Sequence, residues 1–238
     1  DFNPDDEYLQ EIKSPIFYAV QKNINIQTGQ PTILDFDMQR ISQRINIVFN
    51  IRTEGNIKRE DLAAPIIELS GACGRFNIAD ACLDTTSLYR MAHQVQPDEF
   101  TQTGEGTYRC VVHFHTLGVI PSAAKGHLNG PGILQVALQV STPQLDSSGA
   151  PVLDEEGNPV KNSRYIYGAI NPYDELTAAQ LIEVRDGKIY LRYSKEDVNI
   201  EITTPLVIKA DQIVPNDTGM GWQPHDPTNP DDDIIIEI

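Results

Sequence analysis

Between Met38 and Ile51 the chain reads M-Q-R-I-S-Q-R-I-N-I-V-F-N-I. Ile41, Ile45, Ile47, Phe49 and Ile51 share one parity, and Arg44, Asn46, Val48 and Asn50 share the other. Alternation with a period of two places the first set on one face of a strand and the second on the opposite face. β-Branched and aromatic content suits a pleated, half-buried surface. Fourteen residues at this rise would span about 45 Å, long for one strand, so a bend is expected near Ser42. The stretch predicts a central strand of a β-sandwich.

Similar signals recur on both sides. Ile16–Gln27 and Thr32–Phe36 read as strands around a Gly29-Gln30-Pro31 turn. The charged stretch Thr53–Ala64 holds a possible helical turn, E-D-L-A-A, stopped by Pro65. Further strands are expected at Pro65–Ala72, Phe76–Ile78, Ser87–Val95, Thr107–Leu117, Ile133–Val140 and Arg164–Ile170. The polar excursion Thr142–Asn162 carries two turn-like units, D-S-S-G and D-E-E-G-N-P, and reads as an exposed hairpin tip. Asn171–Gln180 is the best helix candidate, with Asp174 able to cap it. Leu181–Val184 and Lys188–Tyr193 flank Asp186-Gly187 as a β-hairpin. Val198–Ile202 and Pro205–Ile208 are short strands. Ten to twelve strands and one or two short helices predict an all-β fold, an antiparallel Greek-key β-sandwich. Residues 1–14, acidic and aperiodic, read as a linker, and 15–238 as the sandwich domain.

Composition narrows the partners. Among 238 residues, 18 Lys and Arg stand against 34 Asp and Glu, a formal charge of -16. Nucleic acid and anionic membrane surfaces both require a positive footprint, so neither is an expected partner. No apolar run reaches the roughly 18 residues of a transmembrane helix. Three cysteines, Cys73, Cys82 and Cys110, do not make a disulfide framework. Cys73 and Cys82 could close a small loop, or all three could be core thiols.

Candidate chemistry is sparse. His113 and His115 share one strand face, and with a nearby carboxylate they could hold a metal; otherwise they are ordinary strand histidines. Asp154-Glu155-Glu156-Gly157-Asn158 lacks the ligand order of a calcium loop and reads as an acidic turn, and Asp226–Asp233 reads as a solvated tail. No G-x-S-x-G, H-E-x-x-H or P-loop occurs. No catalytic residue, metal or cofactor is expected. Tyr165, Tyr167, Tyr173 and Trp222 could together form a glycan platform. The terminal I-I-I-E-I, with Ile234, Ile235, Ile236 and Ile238, is too apolar to remain solvated. It either completes its own sheet or inserts into a neighbour as an added strand.

The order of several short stretches resembles the fimbrillin-like proteins of Bacteroidales. These are S-P-I-F-Y at Ser14–Tyr18, M-Q-R-I-S-Q-R-I-N-I at Met38–Ile47 and I-E-L-S-G-A at Ile67–Ala72. They continue with R-Y-I-Y-G-A-I-N-P-Y-D-E-L-T-A-A-Q at Arg164–Gln180, V-R-D-G-K-I-Y-L at Val184–Leu191, G-M-G-W-Q-P at Gly219–Pro224 and the closing D-I-I-I-E-I. The resemblance implies the second of two tandem sandwich domains, with 1–14 the connection from the first. It implies an exported, non-enzymatic structural or adhesive lipoprotein of the outer membrane: a fimbrial (pilus) subunit, tip or anchor. Its partners would be other fimbrial subunits joined by β-strand addition, with Ile234–Ile238 as the donated strand or as the sheet edge that receives one, and a host or bacterial surface ligand. The alternative expectation is a glycan-binding sandwich of a surface polysaccharide-capture system, using Trp222, Tyr165, Tyr167 and Tyr173.

Overall fold

A computed structural model describes residues 8–55, 57–128, 130–192, 197–209, 212–216 and 220–225. In chain order the strands are β1 (Phe17–Tyr18), β2 (Gln39–Arg40), β3 (Gln43–Glu54), β4 (Ile66–Asn77), β5 (Cys82–Gln94), β6 (Phe100–Gly104) and β7 (Thr107–Thr116). They continue with β8 (Leu134–Pro143) and β9 (Lys161–Ile170), the helix α1 (Tyr173–Ala179), then β10 (Ile182–Arg185), β11 (Lys188–Leu191), β12 (Asp197–Lys209), β13 (Gln212–Ile213) and β14 (Gln223–Pro224). A 3-10 turn at Arg59–Asp61 falls where E-D-L-A-A was expected to turn.

The fold is an all-β sandwich. One sheet has the order β10-β11-β5-β4-β8-β9-β14, the other β13-β12-β3-β7-β6, and β1-β2 form a small ribbon. Ladders are antiparallel except that β12 runs parallel to β3, from Asp197 opposite Arg44 to Lys209 opposite Glu54. The two segments expected as separate strands around Thr203 and Thr204 are therefore one, interrupted by a bulge between Ile202 and Leu206. Pro205, which has no N–H to give to a ladder, sits in that bulge.

β3 lies at the centre of the smaller sheet. Ile45, Ile47, Phe49 and Ile51 are fully buried, as the alternation predicts. They face Ile67, Leu69, Val136 and Leu138 of the larger sheet across one core. The bend near Ser42 is present as the gap between β2 and β3. The Ser42 hydroxyl accepts a hydrogen bond from the Ile16 N–H (3.0 Å) and meets His115 Nε2 (3.0 Å), which ties the bend to β7.

The L-S-G stretch of β4 has a mechanical explanation. Leu69 is core, while Ser70 Oγ donates to Gly130 O (3.1 Å) and accepts from Ile133 N–H (2.9 Å). Gly71 has φ +82°, and a Cβ there would lie 2.7 Å from both Gly132 N and Ile120 O. The β4–β5 register shifts between Leu69 and Ala72, and this bulge lets the loop before β8 press against β4.

Residues from Tyr8 onward are strapped across both sheets: Leu9 N–H donates to Arg90 O on β5 (2.7 Å) and Ile12 N–H to His115 O on β7 (2.9 Å). The segment expected to be a linker is thus packed on the domain in its described part. Helix α1 starts without Asp174 as its cap: Pro172 holds the N-cap position, and Asp174 instead pairs with Lys125 at 2.6 Å. The hairpin at Asp186-Gly187 forms as expected, with φ +50° and +73° at the two turn residues.

Candidate functional site

The region that departs most from its sequence pattern is the arm of residues 19–38. Val20, Ile24 and Ile26 on one limb, and Leu34, Phe36 and Met38 on the other, follow a strand's period of two. Both limbs were expected to be strands. In the structure only the feet of the arm pair, Phe17 opposite Arg40 and Tyr18 opposite Gln39, and the limbs carry no ladder among the described residues. The tip is a turn at Gly29, φ +81°, closed by Gln30 N–H to Gln27 O at 3.4 Å. The apolar side chains lie in the open: Ile26 is 76% exposed, Ile33 83%, Phe36 54% and Met38 57%. Tyr18 anchors the base against Phe76 (ring centroids 5.1 Å apart), and Lys22 Nζ donates to Ala79 O (3.0 Å) on the β4–β5 turn.

The four residues expected to share a glycan platform separate. Trp222 is 1% exposed: its ring lies 5.2 Å from that of Phe49, and its Nε1–H donates to Thr204 O at 3.0 Å. It is a core residue, because its loop folds back over β12. Tyr173 opens α1 and borders a separate cleft of about 240 Å³ with Lys125 and Met220. Tyr165 and Tyr167 do stay together, on the outer face of β9, with ring centroids 6.2 Å apart and planes 24° from parallel.

Beside Tyr167 the outer face forms a shallow cleft of about 90 Å³ bordered by Tyr8, Glu68, Arg90, Gln135 and His225. The Tyr8 hydroxyl donates to Glu68 Oε1 (2.9 Å), and Gln135 Nε2 meets His225 Nε2 at 2.9 Å. Burial, then the Glu68 carboxylate, raises the Tyr8 pKa. Nothing in the strand pattern marks Glu68, Arg90 and Gln135 as neighbours, since the ladder β5-β4-β8 that joins them is long-range.

His113 and His115 go to different partners. His115 is buried against Ser42, whereas His113 Nδ1–H donates to Asn46 Oδ1 (2.7 Å). The Glu99 carboxylate reaches His93 Nε2 at 2.9 Å and His113 Nε2 at 3.6 Å. Burial acts to raise the Glu99 pKa, but the Gln96 N–H and His93 hold it below the usual carboxylate range. Among the described residues no group of three or more His, Cys, Asp or Glu is arranged to hold a metal ion. Cys73, Cys82 and Cys110 are free and buried, and burial pushes the Cys73 thiol up to about 12.

The acidic turns prove to be a tandem octapeptide, L-D-S-S-G-A-P-V at 145–152 and L-D-E-E-G-N-P-V at 153–160. In each unit the aspartate carboxylate caps its own turn: Asp146 Oδ1 accepts from Ser148 and Ala150 N–H, and Asp154 Oδ1 from Glu156 and Asn158 N–H. The units close a ring at their base, Val152 N–H to Gln144 O, Val160 N–H to Val152 O and Gln144 N–H to Val160 O, each 2.8 Å. A period of eight in the sequence is the signal for it.

The expected strand-exchange residues Ile234, Ile235, Ile236 and Ile238 lie outside the described residues. No helix among the described residues is long and apolar enough to cross a membrane. No protein-family model matches the chain, and no curated protein matches it either.

Proposed function

We propose that this protein is a non-enzymatic structural or adhesive module of the cell surface, exported and joined to neighbouring subunits by β-strand addition, as a fimbrial subunit, tip or anchor would be. The observation that carries this reading is the 19–38 arm. Its limbs have the side-chain period of strands, yet their apolar faces meet solvent. Burying Ile26, Ile33 and Phe36 would each contribute about 1.5–3 kcal/mol, enough to favour a partner. Among the described residues the limbs' backbone groups enter no ladder, and such groups can template pairing with another chain. Paired as a strand, a limb of about ten residues would run about 30 Å.

The resemblance to fimbrillin-like proteins supports the same reading, and it implies Ile234–Ile238 as a second segment for exchange. The negative charge of -16 keeps unassembled copies apart, so association rests on apolar strand contacts.

The test is sedimentation of the full chain over a range of concentrations, beside the triple variant Ile26→Asp, Ile33→Asp, Phe36→Asp. The expected result is self-association, or capture of a cognate subunit, that is lost in the variant without a change in melting temperature. Association unchanged in the variant overturns the role of the arm.

A further inference from the structure

We propose that the outer face of the larger sheet, from Tyr165 along Tyr167 to the cleft at Glu68, binds a neutral oligosaccharide. The site is distinct from the arm and independent of it. Tyr165 and Tyr167 occupy successive outward positions of β9, nearly parallel, with Tyr165 half exposed. Tyrosine offers a sugar ring an apolar face and a polar tip at low conformational cost.

The polar groups continue the line. Across the ladder Gln139 stands opposite Tyr165, Ala137 opposite Tyr167 and Gln135 opposite Glu68. Ala137 leaves the space between the tyrosine pair and the polar cleft low. Glu68, Arg90 and Gln135 are planar side chains whose paired donors or acceptors match vicinal hydroxyls.

Three physical points set the ligand class. First, the cleft of about 90 Å³ is well below the roughly 300–1,000 Å³ that engulfs a small molecule. A chain lying across the surface fits it, and a buried metabolite does not. Second, Glu68 and Arg90 bring one charge of each sign to the cleft, which favours neither kind of ion, and the chain's overall charge opposes an acidic ligand. Third, Glu68 is already held by Tyr8 and Gln135 by His225, on strands and not on loops. Little ordering is left to be done on binding.

Affinity electrophoresis of the full chain tests this, in gels containing xyloglucan, galactomannan, arabinoxylan, laminarin or glycogen, with polygalacturonate as the acidic control. Retardation is expected in at least one neutral gel. Tyr165→Ala and Tyr167→Ala should each weaken it about tenfold or more, at unchanged melting temperature for the exposed Tyr165. Tyr173→Ala and the arm variant should leave it intact. No retardation in any neutral gel, retardation by polygalacturonate alone, or retardation indifferent to both tyrosines overturns the proposal.

Discussion

His113 and Asn46 stand directly opposite each other on β7 and β3, and the imidazole Nδ1–H donates to the Asn46 carbonyl oxygen at 2.7 Å. Asn46 in turn donates its Nδ2–H to Asn199 Oδ1 at 2.9 Å, which extends the polar row across β12. The second imidazole nitrogen faces Glu99 at 3.6 Å.

This arrangement predicts a pH dependence. Burial, followed by the Arg44 guanidinium, lowers the His113 pKa in spite of Glu99. The unfolded chain therefore takes up this proton first. The stability that neutral His113 contributes is complete above the ordinary histidine range and is lost as pH falls from about 7 through its depressed folded value. His115 shifts the same way, with burial the leading cause. Thermal melts at about pH 7.5 and 5.5 should show a smaller acid-side loss for His113→Gln than for the native chain. Equal losses would contradict the assignment.

Gly71 and Gly187 both have positive φ, +82° and +73°, but only Gly71 is enclosed. Gly71→Ala combines a left-handed backbone with backbone contacts at 2.7 Å and should cost about 3 kcal/mol or more in urea denaturation. Gly187→Ala, with nothing within 4 Å, should cost about 1 kcal/mol. Similar midpoints for the two variants would contradict the tight approach of the 130–133 loop to β4.

Trp222 should behave as core. Trp222→Ala should destabilise the fold by about 3–5 kcal/mol, and native fluorescence should be blue-shifted and poorly quenched by acrylamide. Strong quenching would place the indole on the surface instead.

The central strand and the core were legible because local periodicity and burial agree. The parity of Ile45, Ile47, Phe49 and Ile51 is the parity of the core, and the bend at Ser42 is where the strand breaks. What failed was whatever depends on a distant partner. The parallel pairing of β3 with β12 joins residues some 150 positions apart and has no local signature. Trp222 lies outside any periodic run, so its burial against Phe49 was unreadable. Tyr165 and Tyr167 lie two apart on one strand and so share a face, whereas the approach of Glu68, Arg90 and Gln135 depends on strand order and has no local signal. The arm is a different case: its pattern has a strand's period, yet the expected strands are absent beyond Phe17–Tyr18, because among the described residues no ladder partner lies along its limbs.

Amide hydrogen exchange of residues 20–36, measured in the isolated chain and in the assembled form, tests the central claim most directly. The amides of both limbs should exchange rapidly in the isolated chain and become protected on assembly, in the alternating way of a new ladder. Assembly that leaves these amides unprotected would contradict the account.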